Sequence, residues 1–367
     1  MSQPHKFRRR FRLTDVIFRK EKKFLYFVAI SLFVAGFVYP YPEVAMWFGF
    51  AFAGYSAIAN DSIQTIGTFI ASNERQQWLK LWMFMGLIFL ATVGYSWFAY
   101  DGDVTYQRLA SKGLSEAPQR FVFLQLASPI LLLILTRFRI PVSTTFMLLS
   151  VFSTGSGTIM SMVSKSTMGY GIAFASSLVI YLVFSRYIKR FIKGTAHGGW
   201  TVAQWIISGA LWSVWLAQDA ANIAVFLPRS LSPLQFAGFA GFIFFGLGFL
   251  FYLRGDRIQE VITEKTEVKD VRSATIIDFI YTIILYLFKE MSNIPMSTTW
   301  VFIGLLAGRE LGMRIRSQDP KSKLSKTVRL IGKDLLSVAF GLLVSVLLAI
   351  AINPNIQEDL KAFFLNP

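Results

Sequence analysis

Two carboxylates sit inside strongly apolar stretches of this 367-residue chain, Asp61 in "AIANDSIQTIGT" (57–68) and Asp219 in "LAQDAANIAVF" (216–226). Amides flank both. Asn60 and Gln64 stand beside Asp61, and Gln218 and Asn222 beside Asp219. An ionised carboxylate at bilayer depth costs ~2.5–3.5 kcal/mol on insertion scales, so it persists where it faces a cavity, an ion or a partner. Carboxylate and amide oxygens are the donors a hard cation prefers. Each Asp is followed, roughly 80 residues on, by a second polar element: "RIPVSTTF" (139–146) and "NIPMSTTW" (293–300). Pro141 and Pro295 lack an N–H and disturb the preceding helix. A helix starting behind such a break presents free N–H groups and the positive end of its dipole. Ser143, Thr144 and Thr145, with Ser297, Thr298 and Thr299, add hydroxyls to an anion cradle there. One such Asp alone already favours a site over a hydrogen-bonded bundle residue, whereas one Pro-x-Ser-Thr-Thr alone reads equally well as a strong helix start. The recurrence of both, in register, favours a binding site.

These residues must be positioned by membrane-spanning helices. The chain is 54% hydrophobic, 16% aromatic and only 16% charged. Its charges are clumped: residues 24–58 hold only Glu43, and 234–253 hold none. Runs of about 20 apolar residues cross a bilayer as helices. The expectation is an all-α polytopic membrane protein with about eleven spans: 24–40, 44–72, 78–98, 120–136, 141–163, 167–187, 200–226, 233–253, 273–289, 295–313 and 333–352. The net charge of +16 would point to nucleic acid in a soluble protein, but Lys and Arg collect in loops retained in the cytoplasm. No nucleic-acid partner is expected; the lipid bilayer is. By that rule the cluster Arg8, Arg9, Arg10 and Arg12, the pair Arg137 and Arg139, "RYIKRFIK" (186–193) and the basic segment 314–333 lie inside. The 100–120 loop and the C-terminus then lie outside. There is no cysteine, hence no disulfide or thiolate chemistry.

The landmarks repeat at an offset of roughly 155 residues, with "FLQLAS" (123–128) and "TIIDFI" (275–280) as a further matched pair. Five spans separate equivalents, and an odd number inverts the second copy. Inverted repeats with broken helices and a midplane site are a plan of secondary transporters. The expected organisation is a basic cytoplasmic segment 1–23, an extra span 24–43, a first repeat 44–165, a connecting span and basic loop 166–199, a second repeat 200–313, and a basic loop with a C-terminal span 314–367. The extra spans fall outside the repeat.

"IANDSIQTIGT", "PVSTTF", "LAQDAANIA" and "PMSTTW" together resemble the four ordered motifs of the inorganic phosphate transporter (Pit) family, in which two Gly-Ala-Asn-Asp-Val-Ala-Asn-Ala elements are each followed by Pro-Val-Ser-Thr-Thr-His. The resemblance covers residues 44 to 313. Gln64 and Gln218 stand where the family has Asn, and Phe146 and Trp300 where it has His. The family's acidic residue is similar to Asp278 in copy two but is Gln125 in copy one. The resemblance implies inorganic phosphate held by Asp61, Asp219 and the two Ser-Thr-Thr elements. It implies coupling to Na⁺ or H⁺, with Asn60, Gln64, Gln218, Asn222 and Asp278 as candidate Na⁺ ligands. A cation-coupled phosphate symporter follows as the expected function. Its expected place is a plasma membrane, of the bacterial inner-membrane kind, with the N-terminus cytoplasmic and homo-oligomers allowed. A related oxyanion such as sulfate, or a non-transporting receptor or scaffold on the same fold, are the alternatives. No enzyme is expected, because no nucleophile–base pair is evident. His5 and His197 lack a metal-ligand partner at helical spacing, Gly241, Gly246 and Gly248 read as close helix contacts, and 254–272 reads as an amphipathic cytoplasmic linker.

Overall fold

The computed structural model describes residues 13–110, 114–138, 140, 142–191, 194–253, 270–291, 295–316 and 324–365. Pro141, Arg139, the Arg8–Arg12 cluster and most of the 254–272 linker lie outside the described residues. Among the described residues the chain is all helical. The long helices are α1 (Leu13–Val38), α2 (Pro42–Asn60), α5 (Trp78–Ala99), α6 (Phe123–Arg137), α7 (Ser156–Phe191), α8 (Gly199–Ala224), α9 (Pro233–Tyr252), α10 (Val271–Met291), α11 (Thr298–Ile315) and α12 (Leu324–Ile352). Two short helices, α3 (Ser62–Thr65) and α4 (Gly67–Ser72), continue α2 after breaks, and α13 (Pro354–Leu365) closes the chain. α5, α9, α10, α12 and the Ser156–Phe184 part of α7 are long and apolar enough to cross a bilayer. The chain is a polytopic membrane protein.

Local sequence explains the element starts. α2 opens with Pro42 behind an extended Tyr41, and Glu43 meets the positive end of its dipole. α9 opens with a capping box in which Ser232 accepts from Gln235 N and Gln235 reaches back to Ser232 N. The expected span 44–72 is broken at Asp61 and Ile66. The expected span 141–163 is not one helix. A π turn at Thr145–Leu149 and a 3₁₀ turn at Ser150–Phe152 lead to a break before α7, and the helix of the expected 167–187 span starts as early as Ser156. The hydroxyl of Ser150 bonds back to Phe146 O, which competes with regular α-helix. The break itself is covered by the C-terminal region: Asn353 bonds Ser153 O, Asn355 donates to Thr154 O at 3.2 Å, and Asp359 accepts from Ser156 N and Oγ.

Packing runs in matched pairs. α2 lies on α6 as α8 lies on α10, and α5 lies on α8 as α9 lies on α2. The 145–152 segment meets α6 as α11 meets α10. α7 runs along α11, and α12 runs along the 145–152 segment. The α7–α11 seam is the tightest. A Cβ on Gly304 would lie 2.5 Å from Tyr170 O, and one on Gly308 or Gly312 would crowd the α7 backbone likewise. Those three glycines, four apart, let two backbones touch. Of the glycines read as contact points, Gly246 and Gly248 meet Ile58 and Trp82, whereas Gly241 has nothing within 4 Å.

Candidate functional site

The α2–α3 break puts Asp61 at the end of one helix, fully buried. Its Oδ1 accepts from Asn60 Nδ2 at 2.8 Å and from Gln64 Nε2 at 3.4 Å. Asn60 Nδ2 also donates to Val142 O at 3.0 Å, and Gln64 Nε2 reaches across to Thr299 Oγ1 at 2.9 Å. Asp219 lies in the last turns of α8. Its Oδ2 accepts from Thr298 Oγ1 at 2.5 Å and its Oδ1 from Asn222 Nδ2 at 2.9 Å. Asn222 Nδ2 then reaches across to Thr144 Oγ1 at 3.1 Å and Thr145 Oγ1 at 3.3 Å. In both copies, therefore, the amide three residues after the Asp holds its own carboxylate and the threonines of the other copy. The first amides differ: Asn60 binds Val142 O, whereas Gln218 Nε2 binds Leu285 O on α10 at 2.7 Å.

Asp61, Asn60, Gln64, Asp219, Gln218, Asn222, Thr144, Thr145, Thr298 and Thr299 thus join into one buried cluster, in which the two carboxylates feel each other's charge. Ser143 and Ser297 play a local part, accepting from Phe146 N and Trp300 N at 3.2 Å each as helix caps. Copy two starts a regular helix here, and the opening N–H groups of α11 lack intrahelical acceptors. Copy one winds as a π turn, a distortion common at functional sites. Phe146 and Trp300 stack edge to face, 5.5 Å between centroids, so equivalent residues of the two copies touch.

Four buried oxygens in this cluster have no hydrogen-bond partner: Asp61 Oδ2, Gln64 Oε1, Gln218 Oε1 and Asn222 Oδ1. All are acceptors, and buried acceptors are normally satisfied. An unmet set of oxygens is what a hard cation or a proton-bearing ligand would complete.

Asp278 lies in a separate polar chain. Its oxygens accept from Thr68 Oγ1 at 2.7 Å and Ser208 Oγ at 2.6 Å, so it ties α4 to α8. Ser208 accepts from Gln204 Nε2 at 3.2 Å, and Gln204 Oε1 accepts from Asn73 Nδ2 at 2.7 Å. Copy one lacks this arrangement. Gln125 instead caps α6 through Val122 N and donates to Val151 O at 3.2 Å, beside the packed rings of Phe121, Phe152 and Phe226.

The sequence reading missed several members. Thr68, Asn73, Gln204 and Ser208 carry a legible signal, because Gln204 and Ser208 lie four apart on one face of α8. Trp215, whose Nε1 donates to Thr298 Oγ1 at 3.3 Å, carries none. Nor does Arg108, a buried guanidinium from the α5–α6 loop. Its Nε donates to Ala217 O at 2.9 Å. Burial pushes it down to about 10, opposed by the charges of Asp219 and Glu290, so it stays protonated at neutral pH. A surface recess of about 800 Å³ lined by Glu43, Trp47 and Gln235 lies at the opposite end of α2 from Asp61.

No family model matches the chain, and no curated relative does. Among solved structures, one titled "The sodium-dependent phosphate transporter" superposes with a TM-score of 0.55 at 17% identity, over 87% of this chain and 98% of that one. The two chains share a fold.

Proposed function

We propose that this chain is a symporter that couples inward movement of inorganic phosphate to a cation gradient, Na⁺ before H⁺. The observation that carries it is the set of unmet oxygens on Asp61, Gln64, Gln218 and Asn222 among cross-linked threonines. Two carboxylates repel an anion unless a cation accompanies it, and these oxygens suit one. Phosphate oxygens would accept from Thr144, Thr145, Thr298 and Thr299, with Ser143 and Ser297 holding the helix starts. A protonated phosphate would donate to a carboxylate in a short charge-assisted bond, which sulfate, unprotonated near neutral pH, does not. The named substrate and ion of the structural neighbour agree with this reading. Asp278 and its hydroxyl partners would form a second oxygen-rich station for the ion.

Transport would follow from one repeat rocking against the other. Contacts between loops support the opposed membrane sides. Gly102 O accepts from Leu231 N, and Leu114 O and Glu116 O accept from Arg229; all of these lie on the expected outer side. Glu21 pairs with Arg137 at 2.7 Å, and Arg272 donates to Gly194 O; all four lie on the expected inner side. Accessibility tags in 100–118 and 254–272 should therefore report opposite faces of the membrane.

The deciding measurement is labelled phosphate uptake into proteoliposomes, with a Na⁺ gradient and separately a pH gradient, and with sulfate as competitor. Na⁺-driven uptake insensitive to sulfate is the expected result. Response to the pH gradient alone would replace Na⁺ by H⁺, preferential sulfate uptake would change the substrate, and binding without flux would make the chain a receptor.

A further inference from the structure

The α5–α6 loop is shaped to send one cation inward. Tyr106 and Gln107, directly before Arg108, are consecutive non-glycine residues in the left-handed region, at φ 53° and 60°. Such a backbone persists only where its surroundings over-determine it. Here they do. Asp103 Oδ1 accepts from Thr105 N and Oγ1 at 2.6 Å each, and its Oδ2 accepts from Gln107 N at 2.7 Å. Ser96 Oγ accepts from Tyr106 N at 3.0 Å and donates to Asp103 O at 2.8 Å. Tyr106 OH donates to Thr92 O at 2.8 Å. The turn delivers Arg108, 1% exposed, to Ala217 O, two residues before Asp219.

The two motif carboxylates are then unequally served. Both oxygens of Asp219 accept hydrogen bonds, and a guanidinium is fixed nearby. Asp61 is met by amides and keeps one bare oxygen. Arg108, which also feels the charge of Glu290, is thus the fixed positive charge on Asp219's side.

We infer that Arg108 is a built-in counter-ion to Asp219, doing at copy two what a mobile coupling cation does at copy one, so that only Asp61 recruits Na⁺ for its charge. This rests on the symport reading. The charge of Arg108 offsets that of Asp219, whereas Asp61 needs a cation before an anion can approach. Arg108 is a positioning residue, acting through Asp219 and not on the substrate.

The test is a Na⁺ titration of purified full-length protein, read by thermal shift without phosphate and by phosphate uptake. The chains compared are wild type, R108Q, R108K, D219N and R108Q/D219N. R108Q should lower the Na⁺ half-saturation and raise the Hill coefficient, with a coupling of roughly 5–150-fold. R108K should restore the wild-type curve. R108Q/D219N, again neutral, should need less Na⁺ than D219N and lie near wild type. Identical Na⁺ curves for D219N and the double variant overturn the inference, even if R108Q alone does not fold. So does R108K behaving as R108Q, which would make the hydrogen bond to Ala217 and not the charge decisive, and so does a wild type blind to Na⁺. A wild type that responds to Na⁺ but neither binds nor moves phosphate refutes the phosphate reading instead, and the thermal-shift curves still judge Arg108.

Discussion

Asp61 and Asp219 stand at the same step of their halves, each one residue after an amide and three before another. Their cross-contacts match position for position: Gln64 to Thr299 in one direction, Asn222 to Thr145 in the other. Yet both oxygens of Asp219 accept a hydrogen bond, and one oxygen of Asp61 accepts none. The acidic position repeats the contrast the other way round. Asp278 in copy two is a hydrogen-bonded bridge between α4 and α8, while Gln125 in copy one is a helix cap among aromatic rings. A duplicated fold can therefore keep a symmetric scaffold while giving its two sites different electrostatic work. Backbone geometry is shared through packing, but the charge at each site is set by single side chains.

The largest effect expected is at the bare carboxylate. Asp61→Asn should cut Na⁺-driven uptake by roughly 10–150-fold, the equivalent of about 1.5–3 kcal/mol for a bond to a charged group. Proteoliposome flux measures it, and near-normal uptake would end the claim that Asp61 is the ion-recruiting member. Next comes the acidic pair. Asp278→Leu strands the hydroxyls of Thr68 and Ser208, at about 1–3 kcal/mol for each group left unsatisfied. Gln125→Leu should cost visibly less, and the order of the two melting temperatures checks the contrast. Smaller still is Gln64→Asn, which shortens the arm to Thr299. One neutral hydrogen bond is worth about 0.5–1.5 kcal/mol, so the Na⁺ half-saturation should move roughly 2–12-fold. The Phe146–Trp300 contact should show a coupling of about 0.5–1.5 kcal/mol in a double-mutant cycle to Ala. No coupling would mean the two copies do not communicate through this pair.

The smallest effect is at the C-terminal latch over copy one. Hydrogen bonds from Ser156 Oγ and N hold Asp359 below the usual carboxylate range. A depressed folded pKa means the carboxylate stabilises the latch above its ordinary pKa of about 3.9, and that contribution fades as pH falls through the folded value. Protection of the 153–156 amides relative to their intrinsic exchange at each pH should therefore fall in acid, and Asp359→Asn should remove that loss while leaving α9 unaffected.

The helical class, the apolar runs and the two pairs of polar motifs were legible in the sequence because each depends on local composition and short spacing. Apolar length dictates spans, and an Asp among Ala and Ile announces a site wherever the chain folds. The breaks at Asp61, Ile66 and Ser153 were less legible, since propensity does not say where a helix yields when neighbours can satisfy its freed groups. Arg108 was not legible at all. In sequence it is one more charge in a mixed loop, and only the left-handed turn held by Asp103 and Ser96 turns it toward Asp219's helix. For Thr68 and Ser208 the polar residues were legible but their meeting was not: they lie 140 residues apart and meet on Asp278. Residue types set which chemistry the chain could hold. Which carboxylate is neutralised and which is left bare was decided by tertiary packing, because electrostatic pairing depends on distance in space and burial, and neither is written in the spacing along the chain.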